Sequence, residues 1–234
     1  RHAHLGENDE HGFRDVTMSD HRPSEDRPAE RLADLVVHVI GVCGAAGAVA
    51  VLLAFALPTR DLPAILAAAV YGGALVATFS LSAAYNLASR PGLKAVLRRF
   101  DHATIFVMIA GTYTPFVLIS LPARFGYAML GIVWIAAITG AVFKLACPRR
   151  FERASVIYYL LLGWIGLPIA GVLVAALPVS VLALLLAGGL LYTVGVAFHL
   201  WERLPYQNAI WHVFVLTAAG THFLAVLEAV AGVS

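Results

Sequence analysis

The stretch LADLVVHVIGVCGAAGAVAVLLAFAL, residues 32–57, has acidic or basic side chains only at Asp34 and His38. An α-helix needs about 20 mostly apolar residues to cross about 30 Å of bilayer hydrocarbon. This stretch is long enough and apolar enough to do so. It therefore predicts a transmembrane helix.

Six more apolar runs of similar length follow, each bounded by charged residues, proline or glycine. They cover residues 62–87, 101–121, 126–147, 155–177, 179–201 and 209–231. The connections between them are too short to hold another domain. The predicted fold class is an all-α membrane protein with seven transmembrane helices over residues 32–231.

The composition agrees with a membrane location. Of 234 residues, 60% are hydrophobic and 13% are charged, whereas soluble domains have about 25% charged residues. This argues against a soluble enzyme. The net charge of +2 is too small to indicate a nucleic-acid partner. Two cysteines, Cys43 and Cys147, are too few for a disulfide framework or a four-cysteine metal site.

Residues 1–31 have a different composition from the rest of the chain. They contain two prolines, eight acidic residues and almost no large apolar ones, so they cannot bury a core and are predicted to be a disordered polar tail. They also lack the apolar centre of a signal peptide. Four histidines in this tail are read as solvated side chains, with adventitious metal binding as the alternative: His2, His4, His11 and His21.

The distribution of lysine and arginine predicts the orientation. With seven spans, 14 of the 16 basic residues fall on the side of the N-terminal tail, and only Arg60 and Arg124 fall on the other. Basic residues concentrate in cytoplasmic segments. We therefore expect a cytoplasmic N-terminus and an external C-terminus.

Small residues and prolines inside the spans predict how the helices pack. Gly41, Gly44 and Gly47 lie in the first span, and such residues let helix backbones approach closely in a membrane. Pro115 and Pro168 each remove a backbone donor, so we expect kinks in the third and fifth spans.

Polar residues recur at one predicted depth, near the cytoplasmic ends of the helices. They are Asp34 and His38 in the first span, Ser82 and Asn86 in the second, Asp101 and His102 in the third, and Asn208 and His212 in the seventh. Ser82 and Asn86 have i,i+4 spacing, as do Asn208 and His212, and this spacing places both members of a pair on one helix face. Ionisable groups at membrane depth indicate function, so the pattern predicts a shared polar site. The alternative is a set of helix caps and groups at the membrane interface.

At this point the sequence resembles a known family, the hemolysin III family, the bacterial branch of the progestin and adipoQ receptors. The resemblance covers about residues 30–228. It rests on Glu30, Asp34 and His38, on SAAYN (82–86), LRRFDHA (97–103), IAGTYTPF (109–116), Tyr158, Gly163–Trp164, Gly188–Gly189, Tyr192 and Gly195, and on IWHVFV (210–215).

The resemblance implies a zinc site near the cytoplasmic face of a seven-helix protein in the bacterial inner membrane. In the family pattern, Ser-x-x-x-His on helix two, an aspartate on helix three and His-x-x-x-His on helix seven form the site. Three imidazoles would hold Zn²⁺ and a bound water would attack a lipid amide or ester, as is suggested for the related alkaline ceramidases. By this resemblance, Ser82 and Asp101 are the expected catalytic residues and His212 is an expected metal ligand.

This sequence departs from the family pattern at two of the three ligand positions. Asn86 stands for the helix-two histidine and Asn208 for the first histidine of helix seven. An amide oxygen is a poor Zn²⁺ ligand beside imidazole, but it keeps a donor and an acceptor in place. We therefore expect a metal-free polar cluster that includes His38, Asn86, His102 and Asn208. A zinc site recruited from His38, His102 and His212 is the alternative, although His102 points about 100° away from Asp101 around its helix.

Two functions follow from these readings. In the first, the protein is a non-catalytic membrane protein, a pore former or lipid-binding module, with membrane lipids as its partners and no cofactor. In the second, it is a zinc-dependent membrane hydrolase of lipid amides or esters. The asparagines favour the first.

Overall fold

The structure, a computed structural model, describes residues 28–147, 151–201 and 203–232. Its regular elements are helices. They are α1 (Pro28–Thr59), α2 (Leu62–Leu87), α3 (Pro91–Pro115) with a π-helical turn (Phe116–Ser120), α4 (Ala123–Ala146), α5 (Glu152–Gly163), a 3₁₀ turn (Leu167–Ile169), α6 (Ala170–Ala176), α7 (Val179–Leu200) and α8 (Gln207–Ala231).

These helices form seven segments long and apolar enough to cross a membrane, which confirms the predicted number. Two of them start earlier than predicted. The first begins at Pro28 instead of residue 32, and the third at Pro91 instead of residue 101. The prediction counted apolar residues and so left out the polar first turns. Proline is favoured at the first position of a helix, because an N–H group there would have no partner within the helix.

The predicted tail lies outside the described residues except for its last four, which are helical. The predicted orientation stays a prediction, because the bounds of the helices do not distinguish the two sides of the membrane.

The prolines change the helix geometry at the two predicted places. After Pro115 the third span widens into the π-helical turn. The fifth span is interrupted between Gly163 and Ala170, around Pro168. The hydroxyl of Tyr113 lies at this break, where it donates to the carbonyl of Gly163 over 2.6 Å and accepts from the amide of Gly166 over 3.2 Å. One side chain of α3 thus satisfies two backbone groups that the break leaves without helical partners.

The helices pack in two adjoining apolar cores. One brings together α1, α2, α3, α7 and α8 around Leu52, Tyr71 and Val226. The other joins α3 and α4 to the fifth span around Phe106 and Val133. The bundle therefore brings the cytoplasmic-side ends of α1, α2, α3 and α8, as the sequence predicts them, to one place.

Not all of the glycines of the first span serve close packing. A Cβ atom at Gly41 would lie 2.6 Å from the ring of Phe79, so this glycine allows α1 to approach α2. Gly44 and Gly47 have no neighbouring atom within 4 Å of such a Cβ. The packing role predicted for these two glycines was therefore wrong, because a side chain at either position would enter open space.

An ion network ties α3, α4 and α5 together at the same end of the bundle. The ammonium of Lys144, whose side chain is 3% exposed, lies 2.8 Å from Oε2 of Glu152. Arg98 donates to Oε1 of the same carboxylate over 3.2 Å. One partly exposed carboxylate therefore balances a buried cation and a second cation.

Candidate functional site

The first helix supplies a buried imidazole with a defined orientation. His38 is 2% exposed, and its Nδ1 lies 2.6 Å from the carbonyl oxygen of Asp34, one turn earlier. A carbonyl can only accept, so this contact assigns the proton to Nδ1 and leaves a lone pair on Nε2. That lone pair faces α2.

The second helix presents Ser82 and Asn86 on the face that meets His38. The side-chain amide of Asn86 donates from Nδ2 to Nε2 of His38 over 3.1 Å and to the backbone carbonyl of Ser82 over 2.9 Å. The hydroxyl of Ser82 lies 3.4 Å from the same imidazole nitrogen. The i,i+4 spacing of Ser82 and Asn86 therefore points both side chains at one histidine.

The last helix completes the arrangement with Asn208 and His212. Nε2 of His212 lies 3.2 Å from the Ser82 hydroxyl, and the ring centroids of His212 and His38 are 4.4 Å apart. The amide of Asn208 donates to Oδ2 of Asp34 over 2.8 Å and to Oδ1 of Asn86 over 3.0 Å. We call these six residues the amide–imidazole cluster: Asp34, His38, Ser82, Asn86, Asn208 and His212.

The contacts fix the direction of the amides in this cluster. Oδ1 of Asn86 accepts from Asn208, while Nδ2 of Asn86 donates to His38 and to a backbone carbonyl. Rotating the Asn86 amide by half a turn would place two acceptors against each other at Ser82 and two donors against each other at Asn208. The hydrogen bonds therefore run in one direction, from Asn208 through Asn86 to His38.

The third helix contributes its two predicted residues unequally. The carboxyl group of Asp101 interacts with the side chain of Ser82 and so joins the edge of the cluster. His102 bonds through Nδ1 to the carbonyl of Arg98 over 2.7 Å and faces the ring of Tyr85. The structure thus brings His38 and His212 together but turns His102 toward a different part of α2.

For one contributor, Asp34, the sequence predicted the depth but not the partner. Asp34 was placed at the right depth, yet its contact with Asn208 joins residues 174 positions apart, which no local pattern indicates. Its i,i+4 spacing from His38 was a further signal, beside its depth. His222, ten residues after His212, bonds instead to the carbonyl of Leu185 over 3.2 Å and lies apart from the cluster, as its depth predicts.

Comparison with known proteins identifies the family. Residues 30–223 match the family described as haemolysin-III related. The chain belongs to the haemolysin III family. It is 37% identical to Hemolysin-3 of Bacillus cereus over 198 residues, which cover 85% of this chain and 90% of that relative. It is 35% identical to the Hemolysin-3 homolog of Bacillus subtilis (strain 168) over 198 residues, which cover 85% of this chain and 93% of that relative.

This haemolysin III protein also has a more distant human relative. It is 28% identical to the Monocyte to macrophage differentiation factor of Homo sapiens over 163 residues, 67% of each chain. The family resemblance predicted from the sequence is confirmed. Together with the seven apolar helices, it makes this chain an integral membrane protein of the haemolysin III type.

The donor set of this haemolysin III protein does not fit the three-histidine zinc site that the resemblance implies. Two imidazole nitrogens, Nε2 of His38 and Nε2 of His212, converge on the Ser82 hydroxyl. The third ligand position near them carries the amide of Asn86, whose N–H group points at the His38 lone pair. An N–H donor and a metal cation compete for the same lone pair. Within the described ranges, no group of three or more His, Cys, Asp or Glu residues has the placement of a metal site.

Proposed function

We propose that this protein is a non-catalytic, lipid-interacting member of the haemolysin III family in which hydrogen bonds replace a zinc site. Its partners are the lipids of the bacterial inner membrane, it needs no cofactor, and nucleic acids are not among its partners. Ser82 and Asp101, the expected catalytic residues, then serve to hold helices together.

The observation that carries this proposal is the contact of Asn86 with His38. Nδ2 of Asn86 donates to the imidazole lone pair that a metal would need, and Asn208 supports Asn86 from the other side. Both asparagines stand at ligand positions of the family pattern. Hydrogen bonds of the two asparagines therefore join α1, α2 and α8, and His212 is the one histidine that the cluster keeps at a family ligand position.

Elemental analysis of the purified protein tests the metal-free part of the proposal. We expect far less than one zinc per chain in the wild type. The variant Asn86→His with Asn208→His restores the family pattern and is expected to bind about one zinc, while the matched control Asn86→Gln with Asn208→Gln keeps amides and binds none. Stoichiometric zinc in the wild type would overturn the proposal. Failure of the histidine variant to bind zinc would show that the surroundings have diverged as well.

The hydrolase function is the second candidate, and one observation favours it. Two imidazoles flank the Ser82 hydroxyl at 3.2 and 3.4 Å, with Asp101 beside it, and Nδ1 of His212 has no hydrogen-bond partner among the described residues. Incubation with an N-acylsphingosine in vesicles, with and without added zinc, separates the candidates. We expect no release of fatty acid from the wild type. Release that disappears in Ser82→Ala would establish the hydrolase.

A lipid role has its own assay. The wild type is reconstituted into phosphatidylcholine vesicles that contain a trapped dye. Dye release that rises with the amount of protein would support pore formation. Intact vesicles would restrict the role to lipid binding.

A further inference from the structure

The first turns of α3 extend beyond the apolar part of the third span. α3 begins at Pro91, whereas the apolar run of this span begins at residue 101. Ten helical residues rise about 15 Å, while the headgroup layer beside the hydrocarbon is about 5–7 Å thick. With residue 101 at the edge of the hydrocarbon, these turns cross the headgroup layer at the end of the bundle that carries the amide–imidazole cluster. We call residues 90–100 the basic segment.

The basic segment has an excess of positive charge. It contains no acidic residue, and its basic residues are Arg90, Lys94, Arg98 and Arg99. Arg98 shares the carboxylate of Glu152 with Lys144, so this one negative charge already faces two cations. Arg90 and Arg99 are exposed, and neither has an ion-pair partner among the described residues. Their charges are therefore available to an anion from outside the chain.

An exposed apolar stripe runs along the same segment. Leu93, Val96 and Phe100 are 51%, 46% and 45% exposed, and their i, i+3, i+7 spacing places them on one helix face. At 100° per residue, Arg99 lies about 90° from the middle of this stripe on one side, and Lys94 about 130° on the other. The ammonium of Lys94 is 5.6 Å from the centroid of the Tyr85 ring, which holds it on the side toward α2. Cations thus flank the stripe on both sides.

This combination selects an amphiphile with a negatively charged headgroup. The phosphate of a lipid accepts charge-assisted hydrogen bonds from guanidinium and ammonium groups, and its glycerol and upper acyl chains cover the apolar stripe. A free phosphate ion would leave the stripe exposed. A zwitterionic headgroup, with no net charge, would leave the cations unbalanced. Clusters of lysine and arginine next to a transmembrane helix attract anionic lipids for the same reason.

Building on the proposed lipid-interacting function, which it makes more specific, we propose that the basic segment binds anionic phospholipids of the leaflet beside the cluster. Their phosphates lie at Arg99 on one side of α3 and at Lys94 on the other. Their apolar parts cover Val96 and Phe100. The protein is therefore selective for lipid charge at this end of the bundle.

Photo-crosslinking of the full chain in vesicles tests this selectivity. The vesicles are made of phosphatidylcholine with a small fraction of a probe that carries a diazirine beside its headgroup, either phosphatidylglycerol or phosphatidylcholine. We expect several-fold more adducts on the basic segment from the phosphatidylglycerol probe. The reference is the opposite end of the bundle, where Tyr127 is 63% exposed and the two probes should label equally. Equal labelling of the basic segment by the two probes would overturn the proposal.

Charge-removing variants provide the second measurement. Lys94→Gln with Arg99→Gln removes two exposed cations and keeps good helix formers, so we expect the preference for phosphatidylglycerol to disappear. Arg60→Gln with Arg124→Gln is the matched control, because it removes two exposed cations at the opposite end of the bundle. The control should keep the full preference at the basic segment. A preference that survives in the first variant, or is lost in the control, would contradict binding at Arg99 and Lys94.

A photoreactive side chain distinguishes a lipid from a protein segment as the occupant. Benzoylphenylalanine is introduced in place of Val96, and the protein is irradiated in vesicles that contain phosphatidylglycerol. We expect adducts with the mass of phosphatidylglycerol. Links to the acidic N-terminal residues 1–27, or to a second copy of the chain, in place of lipid adducts would overturn the proposal.

The outcome is separable from the test of the proposed function. Crosslinking is read without reference to zinc content or fatty-acid release. Zinc or hydrolysis in the wild type would overturn the non-catalytic role and leave the lipid preference of the basic segment as measured. Equal labelling by both probes in a zinc-free, inactive protein would overturn the basic segment as a lipid site and nothing else.

Discussion

The side-chain amide of Asn208 donates to the side-chain oxygen of Asn86 over 3.0 Å, joining the last helix to the second. These are the two positions at which the chain departs from the ligand pattern of its family. Because they contact each other, each asparagine supplies what the other needs, a donor at one and an acceptor at the other. The two departures therefore form a single structural unit.

This contact predicts coupled effects on stability. Asn86→Ala removes the bonds to His38 and Asn208, and we expect a loss of about 1–3 kcal/mol in the free energy of unfolding. Asn208→Ala has a similar cost, but the double variant costs less than the sum, by about 0.5 kcal/mol or more. The free energies of unfolding of the wild type, the two single variants and the double variant are measured in mixed micelles. The exposed Thr217→Ala on α8 is the control, and strictly additive losses would contradict the coupling.

The buried ammonium of Lys144 predicts that the stability of the protein depends strongly on its partner, the carboxylate of Glu152. Glu152→Gln removes the counter-charge while the Lys144 side chain stays 3% exposed. We expect a loss of about 3 kcal/mol, the lower end for a broken buried pair, because Glu152 is 40% exposed. Adding Lys144→Met removes the uncompensated charge and restores most of the stability. If the double variant is no more stable than Glu152→Gln alone, the ion pair is not the cause.

Two glycines of α4 predict opposite responses to the same substitution. A Cβ at Gly126 would overlap the backbone oxygen of Val117, whereas one at Gly131 would meet nothing within 4 Å. Gly126→Ala therefore overpacks the contact with the π-helical turn and is expected to cost about 1–3 kcal/mol. Gly131→Ala stabilises the helix by a few tenths to about 1 kcal/mol. Thermal unfolding in detergent compares the two, and similar midpoints would contradict this packing.

The predicted orientation is tested by labelling from outside the cell. In a background of Cys43→Ala and Cys147→Ala, a membrane-impermeant maleimide should label Ala123→Cys, next to Arg124, and leave Lys94→Cys unlabelled. The reason is the concentration of basic residues on the cytoplasmic side. Permeabilised cells, in which both positions should react, are the control. The reverse pattern in intact cells would overturn the orientation.

The number and type of the helices were predictable because each span repeats one signal, a long apolar run. The contacts between spans were not, since they depend on how each helix is rotated. His102 illustrates the difference: it lies at the predicted depth, yet its ring faces Tyr85 and not His38. Asp34, in contrast, gains a partner that the sequence did not indicate, because only the packing of α1 against α8 brings it to Asn208.

The i,i+4 pairs carried most of the site information that the sequence held. The spacing of Ser82 and Asn86, and that of Asn208 and His212, fixed which side chains share a face. The pairing of Lys144 with Glu152 had no such signal, because the two residues are eight apart and lie on different helices. The open face of Gly44 and Gly47 was equally hidden, since glycine in a span has the same appearance whether a helix or a lipid lies beside it.

The bonds of Tyr113 across the break in the fifth span have a consequence for how the protein is made. Outside the folded bundle, the carbonyl of Gly163 and the amide of Gly166 would enter hydrocarbon unpaired, at a cost of several kcal/mol. The hydroxyl that receives them belongs to the third span, which the ribosome delivers first. In synthesis from the N-terminus, the Tyr113 hydroxyl, which donates to one of these groups and accepts from the other, is therefore already in the membrane when the broken span is inserted. A fifth span released on its own would insert poorly.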